Sequence, residues 1–450
     1  MSKCFIGKGK FSKYYLYILG ASLFKLLKNF FFGFMTINNK TRENLTKFFP
    51  KLSKYPLVPS LYKYISFIIG GSLFNYIISK NLANENRENN EKGLILKYLI
   101  HNKQNNDKKN KLIIEILVVS LLFFLHQEGI GIMYLYNFDG LDIWAFDIIF
   151  ILLFMNKYFI INFYKHQKYS IIFIIIVTTP LLLLSSFLPY SNHNDPKEFI
   201  RDNNTYEIID FMTGSTLYFL AIFIIFIFLS CIISYARVKS KLLMDFYYIS
   251  PYKIVFDIGL MGFLLISIIL TFTTIFSCKG REENIKKYCL ITKDRFSREY
   301  YYDSIYIYFN ELINKASKPE LILEIFLFTP LYFIINFLEM TFEILIIMHL
   351  NPIYLLIKDN LFYFFIKIIF ILFFVNTNFE YYITLKQFLI LEICEVFALF
   401  GYSIYLEIIE LRFFELENDL KKNIIKRADR ESQADPFEDD TDSEENEIDN

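Results

Sequence analysis

The sequence has few of the residues from which metal centres and membrane-enzyme active sites are built. Its five cysteines form no Cys-x-x-Cys pair, and its five histidines are scattered along the chain. It contains neither a His-x-x-x-x-Asp nor a His-Glu-x-x-His motif, in which a histidine stands beside an acid. We therefore expect no metal, no cofactor and no enzymatic activity, although a membrane enzyme stays the third hypothesis, which turnover of a labelled substrate would revive. We also expect no nucleic-acid partner.

The sequence contains blocks of about 20 apolar residues in which charges of either sign are rare. A helix of this length crosses a bilayer. Hydrophobic residues make up 54% of the 450. The sequence therefore predicts an all-α, multi-pass membrane bundle rather than a soluble fold. The predicted spans are residues 12–34, 60–80, 112–131, 141–162, 168–189, 215–235, 253–277, 321–349, 352–375 and 384–407.

The basic N-terminus leads into an apolar segment without a small-x-small cleavage site, which predicts a retained first span rather than a signal peptide. The loops 157–168 and 236–253 are basic and should be cytosolic, whereas 132–140 and 190–214 are acidic or neutral. Both termini are then cytosolic, in an endomembrane or the plasma membrane. The basic loop 36–59 disagrees, because it falls on the exoplasmic side.

Three segments read as soluble: a polar cytosolic loop 81–110, an exoplasmic loop 278–320, and the tail. The tail 431–450 has ten acids and no base, and should be disordered. It is either a solvated tail or a site for phosphorylation and for cytosolic partners. The phosphorylation candidates are Ser432, Thr441 and Ser443.

The exoplasmic loops carry possible modification sites. Asn-x-Thr acceptors occur at Asn39, Asn44 and Asn203, although an Asn-rich chain also produces such triplets by chance. Cys278 and Cys289 share one loop in the oxidising compartment, where they are either bridged or free.

A cut near residue 200 leaves five spans on each side. An odd number per half gives the halves opposite orientations, as in transporters with inverted repeats. The predicted units are residues 1–199, residues 200–415 and a disordered tail from 416 to 450.

Residues 240–265 resemble the start of the second half in the drug/metabolite transporter superfamily, nearest to its nucleotide-sugar-transporter-like and EamA-like members. The matching features are Ser250-Pro251 before a span and a Gly-x-x-Gly step at Gly259 and Gly262. Residues 397–411 are similar to the family's last helix, and residues 156–177 look like its joint between the fourth and fifth helices. The resemblance implies a ten-helix carrier of small organic solutes, without naming the solute.

One predicted span carries two acids. Asn336, Glu339, Met340 and Glu343 share one face of a helix over 321–349, which exceeds the bilayer and should tilt or bend at Pro330. This stripe either lines a central cavity and serves a substrate, proton or cation, or it binds neighbouring helices, with Glu343 at the interface.

Further charges lie inside predicted spans and have the same two interpretations. Asp257 and Glu392, the latter three residues before Glu395, either bind substrate or pack against other helices. Lys25 and Lys28 either neutralise acids across the bundle or extend to the interface. Glu115 and Asp147 lie near span ends, where they indicate little.

The leading hypothesis is a drug/metabolite-type solute carrier that works by alternating access. The rival is a membrane scaffold or tether that recruits partners through its tail and polar loops. A polar cavity between the halves favours the carrier, and a packed seam favours the scaffold.

Overall fold

The computed structural model describes residues 11–36, 57–89, 106–135, 144–159, 164–187, 216–276, 291–292, 300–301, 303–316, 319–359 and 385–405, with single residues 407, 409 and 423. The acidic tail, Cys278, Cys289 and the three Asn-x-Thr acceptors lie outside the described residues. Nearly all of the described chain is helical. The expected helical architecture is therefore confirmed for this part of the chain.

The helices begin and end close to the predicted spans, with one additional short helix. They are α1 (Phe11–Thr36), α2 (Val58–Asn89), α3 (Asn106–Leu135), α4 (Trp144–Phe159), α5 (Lys165–Phe187), α6 (Thr216–Tyr247), α7 (Pro251–Ile275), α8 (Ile305–Ala316), α9 (Pro319–His349), α10 (352–359) and α11 (Leu385–Tyr405). Strands β1 (Ile291–Thr292) and β2 (Tyr300–Tyr301) form a two-residue antiparallel pair. The segment predicted as the ninth span is described only over α10.

Four described helical segments are long and apolar enough to cross a membrane. They are Val58–Lys80, Asn110–Ile130, Pro251–Ile275 and Thr329–His349. The chain is thus a helical, membrane-embedded protein. Helix α9 continues through Pro330, and its 31 residues measure about 46 Å at 1.5 Å per residue.

Two predicted boundaries change. The prediction of a loop over 236–253 is wrong for residues 236–247, which continue α6. Arg237 is buried there together with Val238 and Leu243, so this basic residue belongs to the packed bundle. Helices also extend into the predicted loops, since α2 continues to Asn89 and α8 lies within 278–320.

The glycine step of α7 lets this helix approach α2 closely. A Cβ atom on Gly259 would lie 2.7 Å from Phe67 Cβ and 2.9 Å from the backbone nitrogen of Ile68. A Cβ on Gly262 would lie 2.2 Å from the ring of Tyr64, which is fully buried. Small residues at helix crossings allow this separation in membrane bundles.

The hydrophobic core has two parts. The larger cluster joins α1, α2, α3, α6, α7, α8, α9 and α10, and the smaller joins α4, α5, α6, α10 and α11. Helix α6 contributes to both clusters, with Ile233 in the first and Val238 in the second. This helix therefore connects the two parts of the bundle.

A buried acid fixes the end of the bundle at which α2 begins. Asp303 Oδ2 accepts the Leu57 N–H at 2.7 Å, and the Ile305 N–H donates to Thr274 Oγ1 at 3.2 Å. Burial raises the pKa of the Asp303 carboxyl to about 7, against the lowering effect of nearby backbone N–H groups. The start of α2, the end of α7 and the start of α8 are thereby tied together.

Candidate functional site

The polar stripe of α9 faces other helices. Asn336, Glu339 and Met340 are all buried. The Asn336 amide donates to the Tyr332 carbonyl at 2.7 Å, while its Oδ1 has no hydrogen-bond partner among the described residues. The helical spacing thus identified the inward face of α9 correctly.

Each acid of the stripe is paired with a lysine. Lys28 Nζ lies 2.8 Å from Glu339 Oε2, and Lys358 Nζ lies 2.8 Å from Glu343 Oε1. Lys28 thus neutralises an acid across the bundle, as one interpretation of the sequence proposed. Because an unpaired charge in a low-dielectric interior is costly, these lysines let the helix keep both carboxylates.

Asp359, which the sequence did not single out, lies among three cations. Its Oδ1 lies 2.5 Å from Lys25 Nζ and 3.2 Å from Lys358 Nζ, and its Oδ2 lies 4.0 Å from Arg237. Arg237 also lies 3.4 Å from Asp147, whose carboxylate accepts a bond from the Ser230 hydroxyl. We call Lys25, Arg237, Lys358, Asp147, Glu343 and Asp359 the central ion cluster.

The central ion cluster is electrically balanced, with three cations and three carboxylates. Because the six groups neutralise one another, the desolvation cost of burying them is offset only while every partner is present. A solute or ion that brings its own charge can exchange with one of these partners. The arrangement can therefore change its pairing without leaving a bare charge behind.

Two further ion pairs flank the cluster. Lys63 lies 3.0 Å from Glu128, which also accepts hydrogen bonds from Ser60 at 2.7 Å and from the Tyr64 hydroxyl at 2.8 Å. Lys239 lies 3.7 Å from Glu115. Asp147 and Glu115 thus both have partners on α6. Their positions near the ends of predicted spans had indicated little about their role.

Asp257 lies apart from the central ion cluster. It is 3.8 Å from Lys253 one turn earlier on α7, and its Oδ2 has no hydrogen-bond partner among the described residues. The backbone of Glu392 and Glu395 lies in α11, but their side chains lie outside the described part of the chain. Of the five predicted site residues, the structure brings together Asn336, Glu339 and Glu343.

A cavity of about 560 Å³ lies between α1, α2, α7 and α9. Its walls are mainly aromatic and aliphatic, and no residue of the central ion cluster lines it, so it is not the polar cavity that would favour a carrier over a scaffold. The ion pairs and the cavity are therefore separate features of the helix bundle. Within the described residues, no group of three His, Cys, Asp or Glu side chains is arranged to hold a metal ion.

The chain was compared with protein-family models and with curated proteins, and none of them matches it. The site therefore has to be interpreted from its own geometry.

Proposed function

We propose that the chain is a ten-span solute carrier of the drug/metabolite type, formed by residues 1–199 and 200–415 as two halves of opposite orientation. Both termini are cytosolic in this proposal, as the loop charges predicted. The observation that carries it is the pattern of helix contacts. That pattern is nearly unchanged when each helix of one half is exchanged for its counterpart in the other.

The exchange pairs α1 with α6, α2 with α7, α3 with α9, α4 with α10 and α5 with α11. The contacts α2–α7 and α5–α11 map onto themselves. The contact α1–α9 maps onto α6–α3, and α2–α9 maps onto α7–α3. The contact α6–α4 maps onto α1–α10, which the ion pair between Lys25 and Asp359 joins. Two contacts depart from the pattern: α6 and α7 both pack on α9, whereas the backbones of the equivalent pairs α1–α3 and α2–α3 scarcely approach each other in the described residues.

The two equivalent contacts α1–α9 and α3–α6 also agree in direction, as the exchange of halves requires. On α1, Tyr17 stacks on His349 and Lys28 pairs with Glu339, so α9 runs in the reverse direction. Helices α3 and α6 behave alike, because Glu115 pairs with Lys239 while Gly129 faces Leu229. Both members of this equivalent pair of contacts thus have the same sense.

The sequence contains a short internal match between the fourth and ninth predicted spans, about two helical turns out of register with the correspondence of Asp147 and Asp359. Residues 148–156 read IIFILLFMN, and residues 368–376 read IIFILFFVN, with seven of nine positions identical. The first segment belongs to α4, and the second lies in the segment predicted as the ninth span. This match supports a repeat of five spans.

Among the described residues, four ion pairs of a lysine or arginine connect the two halves. Lys28–Glu339, Lys25–Asp359, Asp147–Arg237 and Glu115–Lys239 each join a residue before position 200 to one after it. If one half rocks against the other, these pairs must loosen or change partners. In the proposed cycle they hold one state closed, and a proton or cation that competes for a partner releases it.

The experiment begins with a thermal-shift screen of the purified full chain against nucleotide sugars, amino acids and small cations. A solute that raises the melting temperature is then followed in counterflow with proteoliposomes. We expect Glu339→Gln to abolish uptake while leaving expression and folding intact, because it uncouples an ion pair between the halves.

Glu128→Gln is the matched control. Its side chain is about as exposed as that of Glu339, 12% against 11%, but its partner Lys63 lies in the same half. We expect this variant to retain most of the uptake. Equal loss in both variants, or uptake unchanged in Glu339→Gln, would contradict the assigned role, and a chain that exchanges no solute of the panel would favour the scaffold.

A further inference from the structure

The cavity of about 560 Å³ lies on the seam between the proposed halves. Helices α1 and α2 of the first half and α7 and α9 of the second contribute to it. It is located where α7 begins, at Pro251, and where α9 ends, at His349. Its volume falls within the range of about 300–1,000 Å³ that is usual for small-molecule sites.

Flat aromatic rings form much of the wall. Tyr17 stacks on His349 with ring centroids 5.4 Å apart and planes 8° apart. Phe74 stacks on Tyr252 with a separation of 5.4 Å and an angle of 15°. Phe337 lies 5.3 Å from Phe74, so rings from all four helices meet at the cavity. Such walls favour a planar ligand that can stack.

Thr341 and Ser250 line this cavity, and their hydroxyl oxygens are buried beneath its surface without a hydrogen-bond partner among the described residues. A ligand in the cavity would reach either oxygen after the side chain rotates about χ1. Helical Ser and Thr commonly bond to the carbonyl four residues earlier, as Ser22 does with Ile18. An unsatisfied buried hydroxyl is costly. Thr341 is itself 4% exposed, so its hydroxyl is a buried polar group for which the described part of the chain supplies no partner.

Among the described residues the lining contains no Lys, Arg, Asp or Glu, and its ionisable side chains are His349 and the tyrosines. A charged ligand would therefore enter without a counter-charge, at a high desolvation cost. An aliphatic chain would fill the volume but would leave both hydroxyls unsatisfied. The combination favours an uncharged ring system with a polar edge.

We propose that this cavity binds a planar, uncharged aromatic or heteroaromatic molecule of one or two rings, with a hydrogen-bonding group facing Thr341 and Ser250. This inference rests on the proposed function in one respect: the bound molecule is the transported solute. Stacking on the tyrosine and phenylalanine rings supplies affinity, and the hydroxyls orient the polar edge.

The test uses 2-naphthol, a fluorescent two-ring probe with one hydroxyl, and the full chain in lipid nanodiscs. We expect 2-naphthol to bind saturably. Decahydro-2-naphthol, in which both rings are fully hydrogenated, should be a poor competitor for the same site. Thr341→Val removes the hydroxyl with little change of shape, and should raise the Kd for 2-naphthol about fivefold while leaving that for naphthalene unchanged. Thr271→Val is the matched control, because Thr271 is exposed on α7 and already donates to the Ser267 carbonyl.

Tyr252→Leu provides a second variant that removes part of the aromatic wall and keeps Thr341. It should weaken both aromatic probes. Non-saturable partition of 2-naphthol, equal competition by n-decanol, or an unchanged Kd in Thr341→Val would overturn the proposal.

These outcomes separate the pocket from the carrier. Absence of 2-naphthol binding in a chain that still loses uptake with Glu339→Gln would remove the pocket proposal alone. Saturable binding in a chain that exchanges no solute, 2-naphthol included, would remove the carrier and leave the pocket as a binding site.

Discussion

Lys358 offers the sharpest test of the central ion cluster. Its side chain is 0% exposed, and its Nζ lies 2.8 Å from Glu343 and 3.2 Å from Asp359. Lys358→Met keeps the length of the side chain and removes its charge. Asp359 retains Lys25 at 2.5 Å, so the uncompensated charge falls mainly on Glu343.

Breaking a buried ion pair by removing one partner costs about 3–5 kcal/mol. We therefore expect Lys358→Met to lower the free energy of unfolding by about this amount. Lys358→Met with Glu343→Gln restores a balanced cluster of two cations and two carboxylates, and should recover more than half of the loss. The two changes are coupled because the residues are in contact.

The assay is unfolding of the purified chain in mixed micelles by titration with dodecyl sulfate, followed by far-ultraviolet circular dichroism. The single variants and the double variant complete a thermodynamic cycle. A loss below about 1 kcal/mol in Lys358→Met, or a double variant no more stable than that single variant, would refute the assignment of a buried, mutually neutralised cluster.

Three further predictions concern packing and pH. Gly259→Ala should destabilise the chain by about 1–3 kcal/mol, because the new Cβ meets the backbone of α2, whereas Gly129→Ala should cost less, because its Cβ meets the movable end of Leu229. Equal unfolding midpoints for the two alanine variants would contradict the close crossing of α7 and α2. The free energy of unfolding of the wild type should fall as pH rises from about 4 to about 7. The pKa of Asp303 is about 7 in the folded chain, against an ordinary value of 3.8. In this pH range the folded chain therefore binds more protons than the unfolded chain. At about 1.4 kcal/mol per pH unit, the free energy of unfolding changes by at most about 4 kcal/mol over this range. Asp303→Asn can still accept the Leu57 N–H, and it should lack this part of the pH dependence. An identical slope of stability against pH in wild type and Asp303→Asn would remove this role. Ser170→Ala should loosen α5 from α11, since its hydroxyl donates to the Gly401 carbonyl at 2.5 Å, and faster hydrogen exchange around Gly401 measures the effect.

Local periodicity was sufficient to predict the inward stripe of α9. Asn336, Glu339 and Met340 recur at spacings of three and four, and such spacing places side chains on one helix face whatever the partner is. The glycine step at Gly259 and Gly262 was likewise readable, because small residues mark a close crossing. These features depend on neighbours in the sequence.

The partners of those residues could not be predicted from the sequence, because they come from distant parts of the chain. Lys25 and Asp359 are 334 residues apart, and no local pattern connects them. Arg237 was counted as a cytosolic loop charge, since the same residue type marks a span end or neutralises a buried acid. Only packing decides between these roles, and here Asp147 and Asp359 lie close enough to fix the second.

The boundary of α6 was missed for the same reason. Residues 236–247 contain Arg237, Lys239 and Lys241, which lower the local hydropathy below that of a membrane span. In the bundle each of the three has a partner, with Lys241 donating to the carbonyls of Ile347 and Met348 at 3.2 Å. Pairing therefore lets a basic segment continue as a packed helix.

The central claim, two oppositely oriented halves that move against each other, is tested most directly by distances between spin labels. One pair joins the halves where α7 begins, at Ile77 and Phe246, and the other joins them at the opposite end, at Leu125 and Phe276; all four side chains are exposed. We expect two distance populations for each pair, with one end of the bundle opening as the other closes. Glu339→Gln should change the ratio of the two populations in both pairs. A single narrow distance at both ends, unchanged in that variant and by every solute tested, would contradict it.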